Sequence, residues 1–201
     1  TKLSSPKEVF TSKDMWAIAI GYFFVVGLSS VFMSWLPSYL VNVKHFAIMQ
    51  IAFVSAAPFA GTVVGNFFGG WASDHLLGKR RKPMMMITAL STSFFMYAML
   101  NAPEEPIILA LLLFGAGIFL AFGYSMYMAY GMGRADEKTY PVAFSLFNTG
   151  SQIGGAVMPL IVGIILDTFN WDAVWLAIAI GSLICFAVVC TAVEPVEDPL
   201  V

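Results

Sequence analysis

An all-α integral membrane fold of six spanning helices is what this sequence predicts, and three observations carry the prediction. Hydrophobic residues make up 59% of the chain and charged residues 11%, with a mean hydropathy of +0.83, whereas soluble domains hold about 45–50% apolar residues. The apolar residues gather into six long runs, each near the roughly 20 residues a helix needs to cross the hydrocarbon core. The charges fall between those runs, with the cations almost all on alternate connections. Runs this long and uniform suit helices and not the alternating strands, about ten residues long, of a membrane barrel.

The first span is read at Met15–Val41. It is too long for a signal peptide, follows charges of both signs, and has no small-residue cleavage site before the next span. The second runs over Ile48–Trp71. The third, Pro83–Leu100, is the shortest and opens on a proline, which suits a first helical turn. The fourth is Ile107–Gly131 and the fifth Tyr140–Leu166. The sixth, Val174–Val193, holds both cysteines, Cys185 and Cys190. Their spacing gives no disulfide framework or metal motif, and they read as small hydrophobes. Pro37 and Pro159 are expected to kink their helices. The third and sixth spans show no polar stripe and read as lipid-facing buttresses, Met84–Met86 included.

With six spans, the N-terminus, the second and fourth loops and the C-terminus share one side. That side carries Lys2, Lys7, Lys13, Lys79, Arg80, Arg81, Lys82, Arg134 and Lys138; the other carries only Lys44. So lopsided a split places both ends in the cytoplasm by the positive-inside rule. The net charge of −2 therefore says little about partners, and nothing points to nucleic acid.

What the spans lack excludes several activities. A charged side chain at mid-bilayer costs about 2.5–3.5 kcal/mol on insertion scales and is functional by default, yet every acid, base and histidine falls outside the six runs. An intramembrane serine protease has no base to use here, and a zinc site has no clustered ligands. The chain reads as neither an enzyme nor a cofactor- or metal-binding protein. Asn101-Ala102-Pro103 has the wrong order and place for an aquaporin half-helix.

Neutral polar groups remain. Ser145, Asn148 and Gln152 share one face of the fifth span, and Ser55, Pro58, Thr62 and Asn66 one face of the second. Tyr22 and Ser29 align on the first, Tyr124 and Tyr127 on the fourth. An amide in hydrocarbon costs several kcal/mol unless hydrogen-bonded, so Asn66, Asn148 and Gln152 face protein or a wet cavity. Asn66, nearer the cytoplasm, reads as inter-helix glue. The two tyrosines on the fourth span suit packing and cavity lining equally. Gly61, Gly65 and Gly69 form a small-residue ridge and Gly150 and Gly154 begin another; such ridges serve static packing or moving contacts.

The stretch GGWASDHLLGKRRKP, residues 69–83, puts Gly70 four residues before Asp74, then Gly78 and the run Lys79, Arg80, Arg81, Lys82. Gly70 is expected to admit a neighbouring helix, across which Asp74 pairs with cations or a helix N-terminus. This resembles the cytoplasmic loop signature of the major facilitator superfamily. It departs from it at His75, where a base is usual, and at Gly78, one residue late, as in the second, weaker copy between helices 8 and 9. WLPSYLVNVKHF (35–46) and SLFNTGSQIGG (145–155) resemble helices 7 and 11 of its anion:cation symporter branch, whose members carry hexonates and hexuronates and include the relatives of sialin.

The resemblance implies the C-terminal bundle, helices 7–12, built as two inverted three-helix repeats, 15–100 and 107–193. Residues 1–14 would end a central cytoplasmic loop and 194–201 form a cytoplasmic tail. Thr1 in place of an initiator methionine agrees with a longer protein. The implied function is secondary transport of a sugar acid across the cell (inner) membrane, with a proton as coupling ion and an N-terminal six-helix half as partner. The resemblance places Asn148 and Tyr22 towards substrate and makes Gly70, Asp74, Gly78, Lys79, Arg80 and Arg81 the gating loop; the shared helix faces add Ser29, Gln152, Tyr124 and Tyr127 as candidate substrate contacts. The alternatives are a membrane sensor on a transporter scaffold, or a six-helix half-size transporter or channel working as a dimer.

Overall fold

A computed structural model describes residues 2–78 and 80–193. A short helix, α1 (Pro6–Thr11), precedes six long ones: α2 (Lys13–Asn42), α3 (Ile48–His75), α4 (Lys82–Ala98), α5 (Pro106–Arg134), α6 (Tyr140–Thr168) and α7 (Trp171–Cys190). A single 3₁₀ turn, Met99–Asn101, extends α4. Helices α2 to α7 match the six expected spans, and each is long and apolar enough to cross a membrane. Pro83, Pro106 and Pro141 sit in first helical turns, where the missing N–H costs nothing. Pro37, Pro58 and Pro159 lie inside α2, α3 and α6, which run on through them.

Within the segment 1–14, read as the end of a cytoplasmic loop, Pro6–Thr11 form a helix and Lys13 opens the next. Ser5 caps α1 by accepting from the Glu8 N–H at 3.3 Å, and the Glu8 carboxylate accepts from Ser4 N at 2.8 Å. The bond from the Ser4 backbone is the main reason that carboxyl stays below its ordinary pKa. The capping box S-x-x-E is a local signal that a search for apolar runs passes over. The tail at 194–201 lies outside the described residues.

Packing pairs α2 with α6, α3 with α5, and α4 with α7 and α5. Taking α2–α4 and α5–α7 as two units, the first helix of each packs on the second of the other, and third packs on third. This reciprocal pairing is what an inverted two-fold relation between the two units produces. Glycine makes the two main contacts possible. Gly61, Gly65 and Gly69 lie against the backbone of Phe114, Ile118 and Phe122 on α5, in matching steps of four, and Gly117 of α5 lies against the Pro58 carbonyl. On the other pair, Gly154 meets the Phe23 carbonyl and Gly27 meets Met158. The ridges are thus close backbone contacts inside this bundle. Gly70 is not part of one: a Cβ there would meet nothing within 4 Å, and the close approach expected of it belongs to Gly69. One residue along a helix is a turn of about 100°, enough to carry Gly70 off the α5 side.

A second correction concerns α4 and α7. Thr88, Thr92 and Ser93 are buried on α4 and Ser182 on α7, and Met84 and Met85 are core residues. Thr88 Oγ1 donates to the Phe119 carbonyl at 2.9 Å and Ser93 Oγ to the Ala179 carbonyl at 2.8 Å. Short hydroxyls buried between helices serve as interhelical bonds, and α4 is wedged between α5 and α7, so only its Leu90–Phe94–Tyr97 face is exposed.

Ion pairs tie each end of the bundle. At one end Lys44 Nζ reaches Glu104 Oε1 and the Ala102 carbonyl, both at 2.8 Å. At the other, Arg134 Nη2 pairs with Asp14 Oδ2 at 2.8 Å, and Asp14 Oδ1 accepts from Val193 N at 3.2 Å. Tyr130 donates to the Val193 carbonyl and Lys82 to the Cys190 carbonyl. The loops therefore sort to two ends as the alternation of cations predicts.

Candidate functional site

The polar residues of α6 lie opposite its packed side. Ala143, Phe147, Ser151, Gly154 and Met158 face the bundle, while Ser145, Asn148 and Gln152 are exposed. Ser145 satisfies itself on the Pro141 carbonyl at 2.8 Å. The amides of Asn148 and Gln152 bond to nothing among the described residues. Facing hydrocarbon, each would forfeit its hydrogen bonds at a cost of several kcal/mol. This side of α6 is therefore built to meet water, a ligand or more protein.

A cleft of about 330 Å³ opens between α2, α3 and α5, lined by Ser29, Thr62, Asn66 and Tyr124 with Phe32 and Leu120 among the apolar walls. Ser29 Oγ donates to the Val25 carbonyl at 3.1 Å and Thr62 Oγ1 to the Phe59 carbonyl at 2.7 Å, which leaves their lone pairs to the cleft. Asn66 is exposed, with its amide unpartnered among the described residues. Within this bundle Asn66 bridges no helices among the described residues: the glycine contact brings α3 and α5 together directly, and Asn66 lines the cleft beside it. Sequence reading held the signal, the face shared with Thr62, but not which neighbour that face would meet.

The three tyrosines form a line from the cleft into the core. Tyr124 is 36% exposed, Tyr22 7% and Tyr127 fully buried. Tyr22 meets Tyr124 edge-on with ring centroids 5.5 Å apart and stacks on Tyr127 at 5.6 Å. Only Tyr124 stands at the open rim. Tyr127, expected beside it as a ligand contact, instead packs over Gly21, whose missing side chain makes room for the ring. Its step of three from Tyr124 rotates it by about 60°, under the cover of α2.

Depth unites three exposed groups, Asn66, Tyr124 and Asn148, with the buried Tyr22. Tyr22, Asn66, Tyr124 and Asn148 each lie roughly eight to ten residues from the basic end of their helices, about 12–15 Å along the axis. Four helices thus contribute to one polar layer. It holds phenols, amides and hydroxyls and no charge, chemistry that suits the hydroxyl groups of a ligand.

The basic loop is a separate structure. Gly78 takes φ +58°, a left-handed conformation that glycine adopts without strain. Arg81 Nη1 donates to Asp74 Oδ1 at 3.1 Å and to Ser73 Oγ at 3.0 Å, and Ser73 Oγ donates to the Arg80 carbonyl at 3.1 Å. Asp74 thus pairs with a cation of its own loop, and no helix N-terminus meets it among the described residues. Its side chain is 47% exposed, so the pair contributes about 1 kcal/mol or less to stability. Lys79 lies outside the described residues. Ser73, buried at the turn, was not foreseen, because a lone serine at a helix end carries no sequence signal. Among the described residues no three His, Cys, Asp or Glu side chains group to hold a metal.

Curated relatives match most of the chain. It is 28% identical over 204 residues to the "Probable galactarate/D-glucarate transporter GudP" of Escherichia coli (strain K12), with 95% of this chain and 44% of the relative covered. It is 27% identical over 188 residues to the "D-galactonate transporter" of Escherichia coli O6:H1, covering 89% and 42%. To the "Glycerol-3-phosphate transporter" of Bacillus subtilis (strain 168) it is 26% identical over 168 residues, covering 82% and 37%. The chain spans less than half the length of these relatives. The family model for the Major Facilitator Superfamily matches residues 4–200. With six spanning helices in interlocked pairs and a match along nearly its full length, the chain belongs to the Major Facilitator Superfamily.

Proposed function

We propose that this chain is the C-terminal six-helix half of a secondary active transporter for a small organic anion of the sugar-acid class, such as a hexonate or hexuronate. Transport is by proton symport, with rocker-switch alternating access between this bundle and its N-terminal counterpart in the cell (inner) membrane. The supporting observation is the neutral polar layer, and above all the unpartnered amides of Asn148 and Gln152 on the open side of α6. The printed substrates of the relatives, galactarate, D-glucarate and D-galactonate, are polyhydroxy acids. Their hydroxyls suit this layer. Their carboxylates need a cation, and coupling needs a group that changes charge; both are assigned to the N-terminal half, as a membrane-embedded Arg and a membrane-embedded carboxylate. The basic end of the bundle is the cytoplasmic one.

The test is uptake of radiolabelled galactonate and galactarate by the full-length transporter in proteoliposomes under an imposed proton gradient. Gradient-driven uptake of either is expected; uptake of neither would remove the sugar-acid reading. Substitutions of Tyr22, Ser29, Asn148 and Gln152 should change half-saturation and leave pH dependence alone. A variant that still moves substrate but has lost its pH dependence would place the coupling group in this half. Asp74→Asn should slow turnover several-fold with binding affinity near normal, because it lies at the basic end, away from the polar layer. Counterflow rates measured beside equilibrium binding check this, and normal turnover would make Asp74 a solvated loop residue only.

A further inference from the structure

A groove of about 380 Å³ runs between α2 and α6, lined by Trp16, Ile20, Phe23, Leu146, Gly150 and Ile153 among others. These residues belong to the half of each helix nearer the basic end. A Cβ on Gly150 would come no nearer than 3.6 Å to the Ala19 carbonyl, so this glycine leaves open space instead of making a close backbone contact. The groove lies away from the polar layer. Ile153 is about 140° round α6 from Asn148, and Ile20 about 160° round α2 from Tyr22. The exposed residues Leu160 and Ile164 carry the Ile153 side of α6 on towards its other end. A side that is apolar for this length suits hydrocarbon, and the groove opens on it.

The mouth of the groove carries a charge. Lys13, Trp16 and Ile20 follow steps of three and four and share one side of α2. Lys13 is exposed, and its ammonium bonds to nothing among the described residues. The adjacent Asp14 carboxylate does not neutralise it, being held by Arg134 and the Val193 N–H. Trp16 Nε1 donates to the Phe10 carbonyl at 2.7 Å, which fixes a half-exposed indole beside the cation, at the depth where tryptophan gathers in membrane proteins. Cation, indole and apolar trough thus follow one another inward, in the order of phosphate, interface and acyl chain in a lipid leaflet. We propose that this groove binds an anionic phospholipid of the leaflet at the basic end, its headgroup on Lys13 and one acyl chain lying over Gly150 between Ile20 and Ile153. Cations at the ends of membrane helices take acidic headgroups by the same attraction. The site rests on the membrane-spanning fold and not on the transport reading.

Contact quenching tests the site in the full-length protein. A membrane-permeant bimane is attached to Ile153→Cys in an otherwise cysteine-free background, and the protein is reconstituted in phosphatidylcholine vesicles. Phosphatidylglycerol or phosphatidylcholine with brominated acyl chains is then added in increasing proportion. Half-maximal quenching is expected at about fivefold lower mole fraction of phosphatidylglycerol, the effect of one cation on an acidic headgroup. Lys13→Gln should erase that preference and leave quenching by phosphatidylcholine as it was, while Lys13→Arg retains it. High salt should shrink the preference in the parent protein, a reading that needs no variant at Lys13. Equal quenching by the two lipids would make the groove ordinary lipid-facing surface. Quenching by neither would show it covered by the rest of the full-length protein, and a preference that survives Lys13→Gln would put the headgroup elsewhere. Any of these three results overturns the site.

Discussion

Gly65→Val is expected to prevent the full-length protein from assembling a stable bundle, with no monodisperse peak recovered after detergent extraction. The three nearest atoms to a Cβ at Gly65 are all backbone atoms of Ile118, so no side chain can swing away and the helices must separate. Overpacking in a core costs about 1–3 kcal/mol even where side chains can adjust, and the valine adds two more methyl groups to a contact that admits none. Gly65→Ala is the milder form, expected to lower the melting temperature by several degrees. Gly70→Ala provides the contrast within this bundle: a methyl there meets open space, and alanine favours the helix by roughly 1 kcal/mol. Equal behaviour of the two alanine variants would contradict the packing of α3 on α5.

The second large effect belongs to Asn148. Its amide makes no bond among the described residues, so Asn148→Ala leaves expression and melting temperature nearly unchanged. A hydrogen bond to a bound substrate contributes about 0.5–1.5 kcal/mol, more when the partner is charged, which corresponds to roughly a three- to tenfold rise in the half-saturating concentration or beyond. Binding by the purified variant and uptake in proteoliposomes give this directly. Parent affinity would remove Asn148 from the site, and loss of the folded protein would make it a packing residue.

The sequence shows why some of this was legible and some was not. Span number follows from length and apolarity, local quantities that no tertiary contact can reverse, and the six helices run where the apolar runs do. The face carrying Ser145, Asn148 and Gln152 was legible for a related reason: a regular helix fixes which side chains share a side, and unpaired amides cannot face lipid. Partner choice was not legible. Asn66 and the glycines Gly61 and Gly65 lie on one helix, and only the packing of α3 on α5 shows which of them is covered. The same holds for Tyr124 and Tyr127, three residues apart, one at the rim and one in the core. Thr88, Thr92 and Ser93 escaped notice because threonine and serine differ too little from the apolar residues around them to mark a stripe. Gly70 and Gly69 differ by a single position, finer than a motif can resolve.

The central claim is that the polar side of α6 lines a water-filled substrate pathway while its neighbouring side does not. Thiol accessibility in the full-length transporter tests it most directly. Cys185, Cys190 and any cysteine elsewhere in the protein are replaced, and single cysteines are then placed at Asn148 and at Ile153, which lines the apolar groove between α2 and α6. A charged, membrane-impermeant thiol reagent should modify Asn148→Cys, and galactonate or galactarate should slow that reaction, while Ile153→Cys remains unmodified. If the two positions react alike, or if Asn148→Cys stays unmodified from both sides of the membrane, the polar side of α6 faces no aqueous pathway and the account is contradicted.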